Sequence, residues 1–205
     1  VSGKEYGYET VILALGTITT YFGIEGLDQY AFGIKSVAEV NAFKRHLYDE
    51  MGKNHIVDKH YVVVGAGPTG VELAAALTSY LQRLRKQFRI KGEKKIHIDL
   101  VEAAPRVLPR MSEKASAMVH KRLESLGVTV HVSKAVQSQN ADQLIVSGKP
   151  ISSHTVIWTS GVANHPFYKA NAEYFEFAPN GRVIVDEFMQ ARGNVYVIGD
   201  NAATP

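Results

Sequence analysis

Cysteine is absent from the 205-residue chain. Disulfides, thiolate metal centres and redox dithiols are therefore excluded within it. No apolar run approaches the roughly 18 residues expected of a membrane-spanning helix. No secretory leader is visible, so a cytoplasmic address is the expectation. Charge of one sign is also scarce: 23 Lys and Arg stand against 20 Asp and Glu, a net charge of +3. Much of that excess sits in Arg83, Arg85, Lys86, Arg89, Lys91, Lys94 and Lys95, a run read as a solvated helix end and loop. No basic or aromatic repeat points to nucleic acid. The eight histidines are scattered, and none forms the i, i+4 pair of a helical zinc site, so no metal is expected. No Gly-x-Ser-x-Gly elbow is present, which counts against a hydrolase nucleophile of that type. Apolar residues at 45% and charged residues at 21% are ordinary for a folded globular protein.

Against these absences stands one informative stretch, His60 to Leu77, which reads HYVVVGAGPTGVELAAAL. A β-branched run, Val62 to Val64, meets glycines at 65, 67 and 70, and an Ala- and Leu-rich helical pattern follows. The order strand, tight turn, helix is the context that a dinucleotide fingerprint requires. In such a turn Gly65 permits the sharp reversal and Gly67 lets a diphosphate approach the backbone. Gly70 lets the helix pack close to the strand. Ala66, Pro68 and Thr69 complete the turn. The helix start presents unpaired N–H groups and a positive dipole end to the phosphates.

Around it, the spacing predicts a strand over 8–15, a connecting loop over 21–34, and a helix capped by Ser36 that runs to about Met51. The fingerprint helix is expected over 69–88 and a second strand over 96–101. Ser112 caps a further helix that Gly127 ends in the left-handed region, and a third strand covers 128–132. This β-α-β-α-β order specifies an α/β fold with a Rossmann-like, doubly wound parallel sheet. An antiparallel β addition follows at 135–147, turning at 140–142, and then strands at 155–158, 181–186 and 194–198. The expected division is a nucleotide-binding domain over 35–160, flanked by two pieces of a second domain, 1–34 and 161–205. The chain starts without methionine and stops straight after a strand, so a fragment of a longer protein is expected.

Glu102 ends the second strand, where an acid accepts hydrogen bonds from the adenosine ribose and repels the extra phosphate of NADP. Asp99 is its competitor, but alternation turns it sideways inside the strand. Glu72, placed in the first turn of the fingerprint helix, has two readings that chemistry alone leaves open. It either compensates the helix dipole or lies near a nicotinamide, where it orients the carboxamide or handles a proton. Gly161, after Trp158-Thr-Ser, can admit a ligand to the backbone or simply end a strand. Gly199-Asp200 ends another strand, where the carboxylate can accept from a sugar or ribityl hydroxyl or merely close a turn.

Five motifs in order resemble the pyridine nucleotide-disulfide oxidoreductases, and within them the type II NADH dehydrogenases. They are Val11-Ile-Leu-Ala-Leu-Gly-Thr17, Val64-Gly-Ala-Gly-Pro-Thr-Gly-Val-Glu72, Val101-Glu-Ala-Ala-Pro-Arg-Val-Leu-Pro109, Trp158-Thr-Ser-Gly-Val162 and Tyr196-Val-Ile-Gly-Asp200. The resemblance implies an NAD domain inserted into an FAD domain. Gly16 and Gly199-Asp200 then line the flavin, Gly161 lies near the junction, and Glu72 lies near the meeting point of nicotinamide and flavin. It implies NADH and FAD as cofactors, a quinone as acceptor and peripheral membrane attachment through segments not in this sequence. The family's own first glycine fingerprint is not found before Val11, so tight FAD binding and turnover by these residues alone are not expected. A ferredoxin or rubredoxin reductase, an NADH oxidase and a non-catalytic NADH sensor are the rival readings. Thioredoxin reductase is disfavoured by the lack of cysteine. Pairing of open strand edges into a homodimer is a further expectation.

Overall fold

A computed structural model describes residues 3–91 and 95–205. Lys94 of the basic run and Val1 at the chain start lie outside the described residues. The chain forms two compact units. One is continuous, Thr19–Gly161; the other combines the residues up to Ile18 with Val162–Pro205. The continuous unit starts at Thr19, upstream of the boundary expected at 34–35.

Strands β1 (Val11–Leu13) and β2 (Thr17–Thr19) open the chain. Within Thr19–Gly161, the short helix α1 (Leu27–Tyr30) precedes α2 (Val37–Tyr48). Next come β3 (His60–Val64), the long helix α3 (Pro68–Gln87), β4 (His97–Val101), α4 (Glu113–Ser125) and β5 (Val128–His131). The antiparallel strands β6 (Val136–Gln139), β7 (Gln143–Val146) and β8 (Lys149–Ser152) follow, and β9 (Thr155–Trp158) closes the series. Strands β5-β4-β3-β9 form a four-stranded parallel sheet in that order. The fold class is therefore the α/β arrangement expected, a parallel sheet with an antiparallel addition.

The reason lies in the burial of β3 and β4. Tyr61, Val63, Ile98 and Leu100 face one side, where they pack with Leu47 of α2, Ala74, Leu77, Leu81 and Leu84 of α3 and Leu123 of α4. Val62, Val64, Val101, Val156 and Trp158 face the other, against Leu144 and Val146 of β7 and Leu27 of α1. Strands covered on both faces read as unbroken apolar runs, which is why 61–64 shows no polar alternation. Each fully buried Leu or Val here contributes roughly 1.5–3 kcal/mol.

Several details differ from expectation. The segment 21–34 is not all loop: Gly26 adopts φ 77° and starts α1, whose Leu27 is fully buried. Four residues are too few to show a helical period. Helix α2 ends at Tyr48 and passes into a π-helical turn at Asp49–Lys53. The antiparallel addition has three strands, because Ser147 (φ 48°) and Gly148 (φ 76°) form a two-residue turn between β7 and β8. Both central residues at positive φ mark the type I′ hairpin. The expected strand at 8–15 forms only over β1, Val11–Leu13.

In the second unit β10 (Val162–Asn164) and β11 (Val183–Ile184) precede β12 (Gln190–Arg192) and β13 (Val195–Val197); β1 pairs in parallel with β13, which pairs antiparallel with β12. Tyr168, Val183, Val185 and Val197 form its small core.

Candidate functional site

The three fingerprint glycines have three different surroundings. Gly65 has φ 103°, and a Cβ there would fall on the hydroxyls of Ser160 and Thr159. A Cβ on Gly70 would strike the carbonyl oxygen of Gly65, so only glycine lets α3 sit this close to the end of β3. Gly67 is the opposite case: φ is −70°, and a Cβ would meet nothing within 4 Å. Sterics of the folded chain do not require glycine at 67; the open space beside it does the explaining.

Helix capping separates this turn from the starts of α2 and α4, although the four-residue α1, starting at Gly26, likewise lacks a side-chain cap. Ser36 caps α2, accepting from the Glu39 N–H at 3.1 Å, while Glu39 accepts from the Ser36 N–H at 2.7 Å. Ser112 caps α4, accepting from the Ala115 N–H at 3.2 Å. Helix α3 begins at Gly67-Pro68 with no side-chain cap. The N–H groups of Thr69 and Gly70 have no acceptor inside the helix. An anion at this terminus gains both those donors and the dipole.

Glu102 stands at the end of β4, beside the turn. Its Oε2 accepts from the Ala66 N–H at 2.7 Å and its Oε1 from the Ala104 N–H at 2.8 Å. The carboxylate is thus tied to the glycine turn and keeps lone pairs for a further donor. Leu108 N–H donates to the Ala66 carbonyl at 2.8 Å, and Arg106 donates to the carbonyls of Met111 and Pro109, both at 2.8 Å. These bonds fold residues 106–111 into a wall.

A cleft of about 610 Å³ opens above these groups. That size suits a nucleotide-scale ligand. Gly65, Gly67 and Pro68 form its floor and Glu102 one side; Leu108, Arg110 and Lys134 continue that wall, and Trp158, Thr159, Ser160 and Phe22 close the other end. Thr159 Oγ1 donates to the Val64 carbonyl at 2.8 Å, holding this end against β3. Phe22, Arg110 and Lys134 escaped the sequence reading, because the fold brings them from segments without a motif.

Other expected residues stand elsewhere. Helix α3 begins at Pro68, so Glu72 opens its second turn and the first turn carries no acid, contrary to the expected placement. Glu72 is exposed and does not line the cleft. Gly161 is buried, and a Cβ there would lie 2.7 and 2.9 Å from ring atoms of Phe22. Its smallness serves the approach of its own chain. Gly16 and Gly199 have φ 70° and 76° with open space around them. They follow β1 and β13, parallel neighbours with Leu13 opposite Val197, so both turns lie at one edge of that sheet. Asp200 is exposed beside Gly199.

Asp99 is only 4% exposed and faces away from the helices. Its carboxylate meets His60 Nδ1 and His131 Nε2, each at 2.7 Å, and His60 stacks on His97. Burial pushes its pKa up, but the hydrogen bonds from His131 and His60 outweigh that and hold it below the usual value. The three residues come from three strands, so no local spacing could reveal them. Among the described residues no cluster of His, Cys, Asp or Glu is placed to hold a metal ion, and no helix is long and apolar enough to cross a membrane.

A type II NADH:quinone oxidoreductase from Staphylococcus aureus is 30% identical over 97% of this chain and 51% of its own length. The chain thus spans about half the length of the curated relatives it matches. NDH2 from Plasmodium falciparum, solved in complex with NADH, shares the fold with a TM-score of 0.81 at 24% identity, over 96% of this chain and 44% of that one. A ferredoxin reductase from Rhodopseudomonas palustris shares it with a TM-score of 0.79 at 23% identity, over 99% and 46%. The family model for pyridine nucleotide-disulphide oxidoreductases matches residues 1–205, and the chain belongs to that family of FAD- and NAD(H)-dependent enzymes.

Proposed function

We propose that this chain is the nucleotide-binding part of a flavoprotein that oxidises NADH and passes the electrons to a quinone. The observation that carries the reading is the uncapped, unobstructed turn at Gly67-Pro68 beside Glu102. The Thr69 and Gly70 N–H groups bind the diphosphate, and Glu102 accepts a hydroxyl of the adenosine ribose. A carboxylate at that position repels a 2′-phosphate, which favours NADH over NADPH.

The strand order sets the direction of the ligand. Glu102 directly follows β4, the phosphate turn follows β3, and Trp158–Ser160 lie at the end of β9. With the adenosine ribose at β4 and the diphosphate at β3, the nicotinamide half extends toward β9. Bound FAD supplies the hydride acceptor; the chain's task is to orient and shield the nicotinamide. Gly16 and Gly199-Asp200, open turns at one sheet edge, are the residues that would meet the flavin, with Asp200 accepting from a ribityl hydroxyl. Glu72 and Gly161 keep supporting roles in this reading. Glu72 is exposed outside the cleft lining, so a role on the carboxamide requires the nicotinamide to project beyond the cleft, and Gly161 makes room for the Phe22 ring.

The quinone is favoured by the 30% identity to the Staphylococcus aureus enzyme. The shared fold alone does not choose among acceptors, since a ferredoxin reductase and a water-forming NADH oxidase also have it. Two measurements test the proposal. Calorimetric titration of the chain with NADH should show binding that NADPH matches only weakly, and absence of NADH binding would overturn the reading. Acceptor assays on the complete flavoprotein should show menaquinone analogues reduced faster than ferredoxin or dioxygen.

A further inference from the structure

Phe22 lies in a backbone conformation that its residue type disfavours. The Ile24 N–H donates to the Tyr21 carbonyl at 3.0 Å, closing a turn whose central residues are Phe22 (φ 54°) and Gly23 (φ 70°). A turn with both central φ positive selects Asn, Asp or Gly; a bulky aromatic residue at such a φ is uncommon. The residue is also 64% exposed, so core burial does not account for it. Strained, exposed aromatic residues point toward a ligand rather than toward stability.

The ring is nevertheless held in place. It meets Trp158 edge-on, with centroids 6.4 Å apart and planes at 67°. The missing side chain of Gly161 leaves room for it. Trp158 is itself fixed by its indole N–H, which donates to the Thr20 carbonyl at 2.8 Å. Phe22 and Trp158 both line the cleft at its β9 end. That is the end assigned above to the nicotinamide half of the dinucleotide.

We infer that Phe22 is a nicotinamide-binding residue, whose ring forms the apolar wall that holds the nicotinamide half of NADH at the β9 end of the cleft. The inference rests on the nucleotide reading of the preceding section. The turn sets the ring at the mouth of the cleft, and Gly161 and Trp158 fix its position before the ligand arrives. Pre-positioned apolar surface costs little ordering on binding.

The test uses two probes that share the adenosine diphosphate half, NADH and ADP-ribose, which lacks nicotinamide. Both are titrated calorimetrically into the wild-type chain and into Phe22→Ala and Phe22→Tyr. A single aromatic contact accounts for roughly a threefold to tenfold change in affinity. The expected result is that Phe22→Ala weakens NADH by that factor, leaves ADP-ribose unchanged, and that Phe22→Tyr restores NADH binding. Unchanged ADP-ribose affinity also certifies that the variant is folded. An equal loss for both probes, or no loss for NADH, would overturn the role of Phe22 while leaving the nucleotide site standing. Failure of the wild-type chain to bind either probe would overturn the nucleotide reading and this inference together.

Discussion

The same chemical change, one methyl group, should have opposite consequences at two glycines three residues apart. At Gly70 the added Cβ strikes the Gly65 carbonyl oxygen, which is backbone in a tight turn and has little room to yield. Helix α3 would have to lift from β3, opening the packing of Ala74 and Leu77 against the sheet. Overpacking of this kind costs about 1–3 kcal/mol, and more where backbone must move. At Gly67 the backbone is extended, φ −70° and ψ 179°, and the added Cβ meets nothing within 4 Å. Alanine adopts that conformation without strain, and the entropy lost by the unfolded chain favours the fold by about 0.4–1 kcal/mol; alanine is also a poorer N-cap than glycine, which offsets that gain, so stability should change little. The methyl then stands where the diphosphate must approach the Thr69 and Gly70 N–H groups. Loss of one or two charge-assisted hydrogen bonds, about 1.5–3 kcal/mol each, weakens NADH at least tenfold. Urea unfolding and NADH titration on both variants separate the two effects. Gly70→Ala should unfold at lower urea; Gly67→Ala should unfold close to the wild-type midpoint and bind NADH poorly. A folded Gly67→Ala variant with wild-type affinity would refute the placement of the diphosphate.

Glu102→Ala should weaken NADH about tenfold and NADPH much less; an equal loss in competitive titrations would show that the carboxylate only clamps Ala66. Asp99→Asn should lower stability at pH 7 by about 2–4 kcal/mol, because two hydrogen bonds to a charged acceptor are weakened. Asp99 titrates below its ordinary value of 3.8 in the folded state. Its contribution is therefore fully present above that value and fades as pH falls below it. Unfolding curves of wild type and variant should accordingly converge in acid; a constant difference down to pH 2 would refute the assignment. Trp158 is the sole tryptophan and lines the cleft, so NADH should quench its fluorescence; an unchanged spectrum at saturating NADH would place the ligand elsewhere. Leu81→Ala, in the core beneath α3, should cost about 2–5 kcal/mol in urea unfolding without changing NADH affinity.

The fold was legible wherever one local rule sufficed. Apolar runs marked β3, β4 and β9, and serine caps marked the starts of α2 and α4 within a residue. What escaped depends on distance in sequence. Asp99 lies 39 residues from His60 and 32 from His131, and only the parallel register brings the three side chains together. Phe22 stands far from Trp158 and Gly161 in sequence, and the turn that carries it resembles an ordinary Gly-containing loop. Glu72 misled for a smaller reason: the helix starts at Pro68 rather than at Thr69, and one residue moves an acid from the first turn to the second.

The capping pattern shows why the site was nevertheless the most readable feature. A chain selected only for stability would start α3 as it starts α2 and α4, with a serine, worth about 0.3 kcal/mol more than glycine at an N-cap. Instead α3 starts with Gly67-Pro68, leaves its donors uncapped and accepts the flexibility of a glycine that no steric contact demands. Sequences depart from their own local rules mainly where a ligand supplies the missing partner. Gly67→Ser is therefore the sharpest reversal available. A serine at this N-cap should place its hydroxyl on the first-turn N–H groups, raise the unfolding midpoint and exclude the diphosphate. If the variant gained stability and still bound NADH as the wild type does, the uncapped terminus would not be the phosphate site.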